Sequence, residues 1–394
     1  MKNERPIITL KRGKEASLKR RHQWIFSGAI KENKDNHIDD GTMVDVYSHN
    51  NKYLGMGHYQ SGASIAVRML SFIQVDEEKL WHNKIQNAWE YRKNIGITNL
   101  SDTNVYRLVF SEGDGLSGLI IDYYNGVAVL QAHSTGMFMS RHVICKALKD
   151  VMGEHLKAVY DKSRETLHGK AGSIDNKFIL GKAEDYTEVL EKGKLFIVNW
   201  STGQKTGFFI DQRENRKLVG AYSANKRVLN TFCYTGGFSV YAGLAGALEV
   251  HSVDSSKSAI AIAQKNMELN GISRHQVFAE DVFSFLQTCD DYDLIVLDPP
   301  AFAKKLNARH HAVIGYKRLN TAAIKKIRPG GMLFTFSCSQ VVDKRLFQDT
   351  IIAAAIEAGR NIRIMHWLHQ PEDHPVDIFH PEGEYLKGLA LFVE

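Results

Sequence analysis

The sequence predicts an α/β protein whose residues 191–394 form a doubly wound parallel sheet, preceded by a small β-rich section and a mixed α+β middle section. Three observations carry this. From about residue 191, short apolar runs alternate with helical stretches. Residues 1–73 instead show two-residue alternation between glycine turns. The chemically informative residues stand just after the apolar runs, where ligands bind in such sheets.

In the first section, MVDVY and SIAVRM alternate as strands do, and Asn50-Asn51 suits a hairpin turn. DEEKLWHNKIQNAWEYRKNIG then sets Leu80, Trp81, Ile85 and Trp89 at helical spacing. YRLVF, LIIDYY and VAVLQ predict strands across residues 105–131, with Asn125-Gly126 as a hairpin signal between the last two. Residues 137–153 predict a helix and AVYDKS a strand. From KLFIVNW onward the alternation begins, with Asp211 a candidate cap for the helix DQRENRKLVGAYS. RVLNTFC, LEVHSVD, QVFAED, DLIVLDPP and MLFTFSC are the successive strands, each followed by a helical stretch, and YLKGLALFVE ends the chain as a strand.

Composition narrows the class. At 44% hydrophobic and 24% charged, the 394 residues are ordinary for a soluble protein of two or three domains. No run approaches the ~18 apolar residues of a membrane span, and MKNERPIITLKRGKE lacks a signal peptide's apolar core. Cys145, Cys233, Cys289 and Cys338 form no CxxC pair, which argues against structural zinc or a disulfide framework and for a reduced, cytoplasmic setting. No metal is expected, the histidines at 366, 369, 374 and 380 notwithstanding. Residues 1–34 hold ten basic and three acidic residues, a local charge of +7 in a chain of +6. Lys19, Arg20 and Arg21, beside Trp24 and Phe26, therefore become candidate RNA contacts.

The strand RVLNTFC runs into Tyr234, Thr235, Gly236 and Gly237, with Phe232 and Tyr234 where earlier glycines of a nucleotide fingerprint would stand. Asp254, with Ser255 after it, ends the next strand 18 residues past Gly236, the place of a ribose-binding acid. Asp281, followed by Val282, ends the third, where an acid can meet an adenine amino group. NAD competes as cofactor on these features, and the fourth strand argues against it. There Asp298-Pro299-Pro300 combines a carboxylate with two residues lacking N–H donors, an acceptor-rich turn suited to a base edge. One strand later stands Cys338. A thiolate adding to carbon 6 of cytosine would make carbon 5 nucleophilic toward a sulfonium methyl, with Asp298 at ring nitrogen 3. Lys205, Thr206 and Arg213 are weaker candidates for cofactor or RNA contact.

LDPPAFAKK, FTFSCS, FCYTGGFS, GQKTGFFIDQR, SEGDGLSGLIID and PEGEYLKG together resemble the RlmI-type 23S rRNA large-subunit methyltransferases, bacterial cytosine-5 enzymes. The resemblance spans nearly the whole chain. It implies a PUA domain (1–73), a central domain (74–190) and a Rossmann-like, seven-stranded methyltransferase domain (191–394). It implies S-adenosylmethionine as cofactor and 23S rRNA as partner; no membrane partner is expected, and assembly as a homodimer stays open. The nucleophile of the family's sixth motif falls on Cys338, and its fourth motif on Asp298-Pro299-Pro300. Many RNA cytosine-5 enzymes carry a second Cys where this chain has Pro300, so the base that takes the carbon 5 proton is unassigned. Two other readings compete: methylation of a ring or exocyclic nitrogen, with Cys338 as packing, and a non-catalytic RNA-binding assembly factor.

Overall fold

The computed structural model describes residues 5–31, 37–167, 174–303 and 305–394. Lys2, Glu4, Glu32 and Lys34 of the basic section lie outside the described residues. The chain divides into two compact units. The first comprises Met1–Val189, Val198–Phe208 and Glu372–Gly383; the second comprises Leu190–Ile197, Phe209–Pro371 and Glu384–Glu394. No helix among the described residues is long and apolar enough to cross a membrane.

The first unit begins with β1 (Ile7–Thr9), the short helix α1 (Ala16–Lys19), β2 (Trp24–Phe26), β3 (Met43–Tyr47), β4 (Tyr53–Tyr59) and β5 (Ile65–Ser71). They form a sheet in the order β1-β3-β4-β5-β2, in which β1 and β3 pair in parallel. The two-residue alternation has its physical counterpart here: Val44 and Val46 are buried while Met43, Asp45 and Tyr47 are half-buried. Ile8, Leu10, Val67 and Met69 complete that core.

The helix α2 (Glu77–Asn94) follows, and the Asp76 carboxylate accepts the Glu78 N–H at 3.0 Å as its cap. Next come β6 (Val105–Phe110), β7 (Leu119–Tyr124), β8 (Val127–Ala132), α3 (Thr135–Met139), α4 (Arg141–Met152), β9 (Ala158–Asp161) and β10 (Lys177–Leu180). The sheet order is β10-β9-β8-β7-β6. Asn125 and Gly126 take φ of +46° and +102°, as a tight turn between β7 and β8 demands. Leu80, Trp81 and Ile85 of α2 bury against Leu108, Ile121 and Leu130.

Two downstream stretches complete this unit. Trp200 is fully buried against the rings of Tyr160 and Phe178, at centroid distances of 4.8 and 5.4 Å. Thr206 donates to the Asp122 carboxylate at 2.6 Å, which also pairs with Arg107 at 2.7 Å. Thr206 is thus part of a buried structural network, not a ligand contact at the surface. Asp373 accepts the Arg107 N–H at 2.9 Å. Of the tail histidines, His374 and His380 belong to the first unit and His366 and His369 to the second. His380 lies among the rings of Trp24 and His22, and His22 holds Glu382 through Nε2 at 3.3 Å.

The strands β11 (Thr187–Glu191) and β12 (Lys194–Val198) form a two-stranded ribbon of their own. The expected strand KLFIVNW therefore does not enter the main sheet. Asn270 and Asn266 side chains occupy the ribbon's backbone groups instead, accepting from Leu195 N at 3.0 Å and Ile197 N at 2.8 Å.

The main sheet uses β13 (Arg227–Thr231), β14 (Glu249–Val253), β15 (His275–Phe278), β16 (Tyr292–Leu297), β17 (Ile327–Ser337), β18 (Ile362–His369) and β19 (Lys387–Val393). Its order is β15-β14-β13-β16-β17-β19-β18, seven strands. The five from β13 to β17 run parallel. Two corrections to the wholly parallel expectation follow. β19 is antiparallel to both β17 and β18. β18 itself was not expected, because as an edge strand it leaves Ile364 and Trp367 exposed and shows no clean apolar run. Helices α5 (Arg213–Ala221), α6 (Gly237–Leu244), α7 (Lys257–Leu269), α8 (Val282–Thr288), α9 (Arg309–Lys325) and α10 (Lys344–Ala358) complete the unit. Asp211 does not cap α5; its carboxylate accepts the Tyr385 hydroxyl.

Candidate active site

Parallel pairing sets the carboxyl ends of the central strands along one edge. Thr231 is opposite both Val253 and Leu297, and Leu297 is opposite Thr335. Phe232, Asp254 and Asp298 therefore each begin a loop from equivalent positions on adjacent strands, about 4.8 Å apart. Cys338 follows Ser337, the last residue of β17. The chain winds outward from β13 to β15 and then returns to β16, so the switch point lies between β13 and β16, where an open α/β sheet binds its ligand. The sequence reading grouped these strand ends with Asp281 after β15; the register sets Phe232, Asp254 and Asp298 on adjacent strands, and Cys338 follows the next one.

The turn after β13 is conformationally unusual. Phe232 and Tyr234 adopt φ of +52° and +48°, and Gly236 +80°. The two aromatics thus occupy left-handed positions that glycine would take without strain, each at a cost of about 1–3 kcal/mol. Surrounding contacts hold them there. The Tyr234 N–H donates to Asp254 Oδ2 at 2.9 Å, and Asn266 Nδ2 donates to the Thr235 carbonyl at 2.8 Å. A Cβ on Gly236 would meet Ala263 at 3.1 Å and one on Gly237 would meet Arg216 Cδ at 3.0 Å, so α6 packs closely because both are glycine.

Beneath this turn, Arg216 pairs with Glu191 at 2.6 Å, both enclosed, and Tyr241 donates to the same carboxylate at 3.0 Å. Burial alone would lower the Arg216 pKa; the Glu191 charge overrides it and raises it. Glu191→Ala would leave a buried, uncompensated guanidinium. It is expected to cost about 3–5 kcal/mol in a denaturant titration, whereas a loss under about 1 kcal/mol would mean that water replaces the pair.

Asp254 is half-buried, and its second oxygen accepts the Ser256 N–H at 2.9 Å. It thereby joins the turns after β13 and β14, while Ser256, not Asp254, caps α7. Ser255 is exposed. Asp281 is exposed and caps α8, accepting the Ser284 N–H at 3.0 Å; Val282 is buried in the first turn of that helix. Asp298 is half-buried, Pro299 buried and Pro300 exposed.

The four cysteines separate by environment. Burial pushes the Cys145 thiol up to about 11, and raises those of Cys233 and Cys289. Those three are poor nucleophiles. Cys338 is half-buried in the second unit, on a turn held from two sides. Ser339 is fully buried and donates to the Ala303 carbonyl at 2.6 Å, tying the Cys338 turn to the loop that follows Pro300. Tyr316 of α9 is also fully buried, and its hydroxyl feels the charges of both Cys338 and Asp298; burial pushes it up to about 12, so it stays a neutral phenol.

Other expected contacts fall elsewhere. Arg213, expected to touch cofactor or RNA, is 2% exposed and lies 3.7 Å from Glu214 at the start of α5. Lys205 is exposed, and it belongs to the first unit, as do Lys19, Arg20 and Arg21, also exposed. Lys19 pairs with Glu15 at 3.6 Å, and Arg21 lies over the Phe379 ring at 5.8 Å. Sequence reasoning missed Lys387, which is buried at the start of β19 and donates from Nζ to the Ser339 carbonyl at 2.9 Å. A lysine opening an otherwise apolar final strand was the available signal.

Residues 8–72 match the model of a PUA-like domain, and residues 158–385 that of an S-adenosylmethionine-dependent methyltransferase. A ribosomal RNA large subunit methyltransferase I from Aeromonas hydrophila is 39% identical over 98% of both chains. A SAM-dependent methyltransferase structure from Streptococcus mutans superposes with a TM-score of 0.84 at 24% identity, covering 98% of this chain and 100% of its own. A methyltransferase structure with bound SAH scores 0.84 at 24% identity, covering 99% and 100%.

Proposed function

The chain belongs to the ribosomal RNA large subunit methyltransferase I family, and from that membership and the site we propose that it forms 5-methylcytosine in large-subunit rRNA through a covalent adduct of Cys338. The single observation that carries the cytosine-5 chemistry is the placement of Cys338 one strand from Asp298 at the end of the sheet.

The donor set suits S-adenosylmethionine. Asp254 would hold the ribose hydroxyls, Asp281 would face the adenine, and the left-handed turn Phe232–Gly237 would take the amino-acid end. When bound, the cofactor supplies a methyl group made electrophilic by its sulfonium. The remaining work falls to the chain. The Cys338 thiol loses its proton to water and its sulfur bonds to carbon 6 of an extruded cytosine. Asp298 holds a proton at ring nitrogen 3 as the ring gains electron density. Carbon 5, now enamine-like, takes the methyl group. Water takes the carbon 5 proton, the electrons of that C–H bond expel the Cys338 thiolate from carbon 6, and the nitrogen 3 proton returns to Asp298, which restores the ring. Pro299 and Pro300 present carbonyls without N–H donors to the base edge. Residues 1–73, with Lys19, Arg20 and Arg21, serve as the RNA-binding domain, residues 74–190 as the central domain and 191–394 as the methyl-transfer domain; Lys205 is a further RNA contact in this reading.

The test is a trap. With 5-fluorocytosine in the RNA, no carbon 5 proton can leave, so a covalent protein–RNA complex should accumulate and map to the Cys338 peptide. Methylation of ordinary RNA without any such adduct would reject the covalent route and favour nitrogen methylation.

A further inference from the structure

We propose that Lys387 is a positioning residue for the nucleophile, its ammonium holding the Cys338 turn in place and stabilising the thiolate there. This rests on the reading of Cys338 as nucleophile. Three geometric facts carry it. The β17–β19 register sets Lys387 directly opposite Ser337, the residue before Cys338. Its Nζ donates to the carbonyl of Ser339, the residue after Cys338, at 2.9 Å. Lys387 is only 6% exposed, so its charge acts where water screens little. Lys387 thus spans the Cys338 position from the neighbouring strand, its backbone opposite Ser337 and its ammonium on the Ser339 carbonyl.

An ammonium is an expensive group to bury unless something beside it carries negative charge. Burial pulls the Lys387 pKa down, and the Cys338 charge is the largest influence pulling it back up. Glu384 and Asp343 also raise it and Lys344 lowers it. Lys344 itself pairs with Glu384, at the surface. On α9, burial raises the pKa of Tyr316 and the Cys338 and Asp298 charges add to that rise, so this phenol stays neutral. Across β18 the register sets the exposed His369 opposite Lys387, its ring bonded to the Gln370 carbonyl at 2.7 Å, and among these described groups Lys387 is the buried cation. In this role Lys387 acts through its charge and not as the base; the proton leaving the thiol goes to water.

The experiment reads thiolate formation directly, apart from turnover. Full-length protein is alkylated with iodoacetamide across a pH series, and the rate is read on the Cys338 peptide by mass spectrometry. In Lys387→Met the midpoint should rise by about 1–3 pH units, the usual effect of losing one close opposite charge. Lys387→Arg keeps the charge and should restore most of the shift. The Cys289 peptide in the same samples serves as reference, and its unchanged profile shows that the fold is intact. A Cys338 midpoint in Lys387→Met within about 0.3 units of wild type, with Cys289 unchanged, overturns the proposal. Retained activity in Cys338→Ala would instead remove the nucleophile reading, and the alkylation midpoints would still report whether Lys387 governs the thiol.

Discussion

Cys338→Ala is expected to lose methyl transfer to RNA by about 10⁴-fold or more, on the scale seen when an enzyme loses its nucleophile. Cofactor affinity by calorimetry should stay within about threefold of wild type, because the turn at Phe232–Gly237 and the Asp254 carboxylate are built from other strands. The size of the loss follows from the substrate. Carbon 5 of cytosine has almost no nucleophilic character until a group adds at carbon 6, so no residual route through simple proximity is available. Nitrogen methylation differs: a ring or exocyclic nitrogen brings its own lone pair, and Cys338 would be packing at a half-buried position. Deleting a thiol of that kind costs little activity. Turnover within about tenfold of wild type would therefore reject the adduct and leave the nucleotide-type pocket standing.

The parts of the site legible in the sequence are those where a buried parallel strand ends. Such strands read as apolar runs because both faces are covered, and the next residue must leave the sheet. That logic located Phe232, Asp254, Asp298 and Cys338 without any knowledge of pairing. It could not locate Lys387, because direction and register of the last strand are set by contacts far apart in sequence: Lys387 meets Ser337 only when β19 turns antiparallel. The same limit hid the composition of the first unit. Asp373 bonds to Arg107, and Trp200 buries against Tyr160, with no local pattern to announce either. Arg213 is a related case. A guanidinium in a polar stretch reads as a ligand contact, and only packing shows it enclosed beside Glu214.

Asp298→Asn is expected to lower kcat by about 10²–10⁴-fold with the RNA KM changed less than about tenfold, since proton transfer at ring nitrogen 3 matters in the transition state more than in the bound substrate. Asparagine matches the side chain in size, so the stiff turn through Pro299 and Pro300 persists and the base edge still finds the same carbonyls. What disappears is the capacity to deliver or hold a proton. Sulfur adding to carbon 6 pushes electrons toward nitrogen 3, and without a proton there the adduct collapses back. The trap separates this from a binding defect: with 5-fluorocytosine RNA, Asp298→Asn should form the adduct slowly yet eventually, whereas Cys338→Ala should never form it. Adduct formation by Asp298→Asn at the wild-type rate would show that nitrogen 3 takes its proton from elsewhere, and would reduce the Asp298-Pro299-Pro300 turn to a device of shape alone.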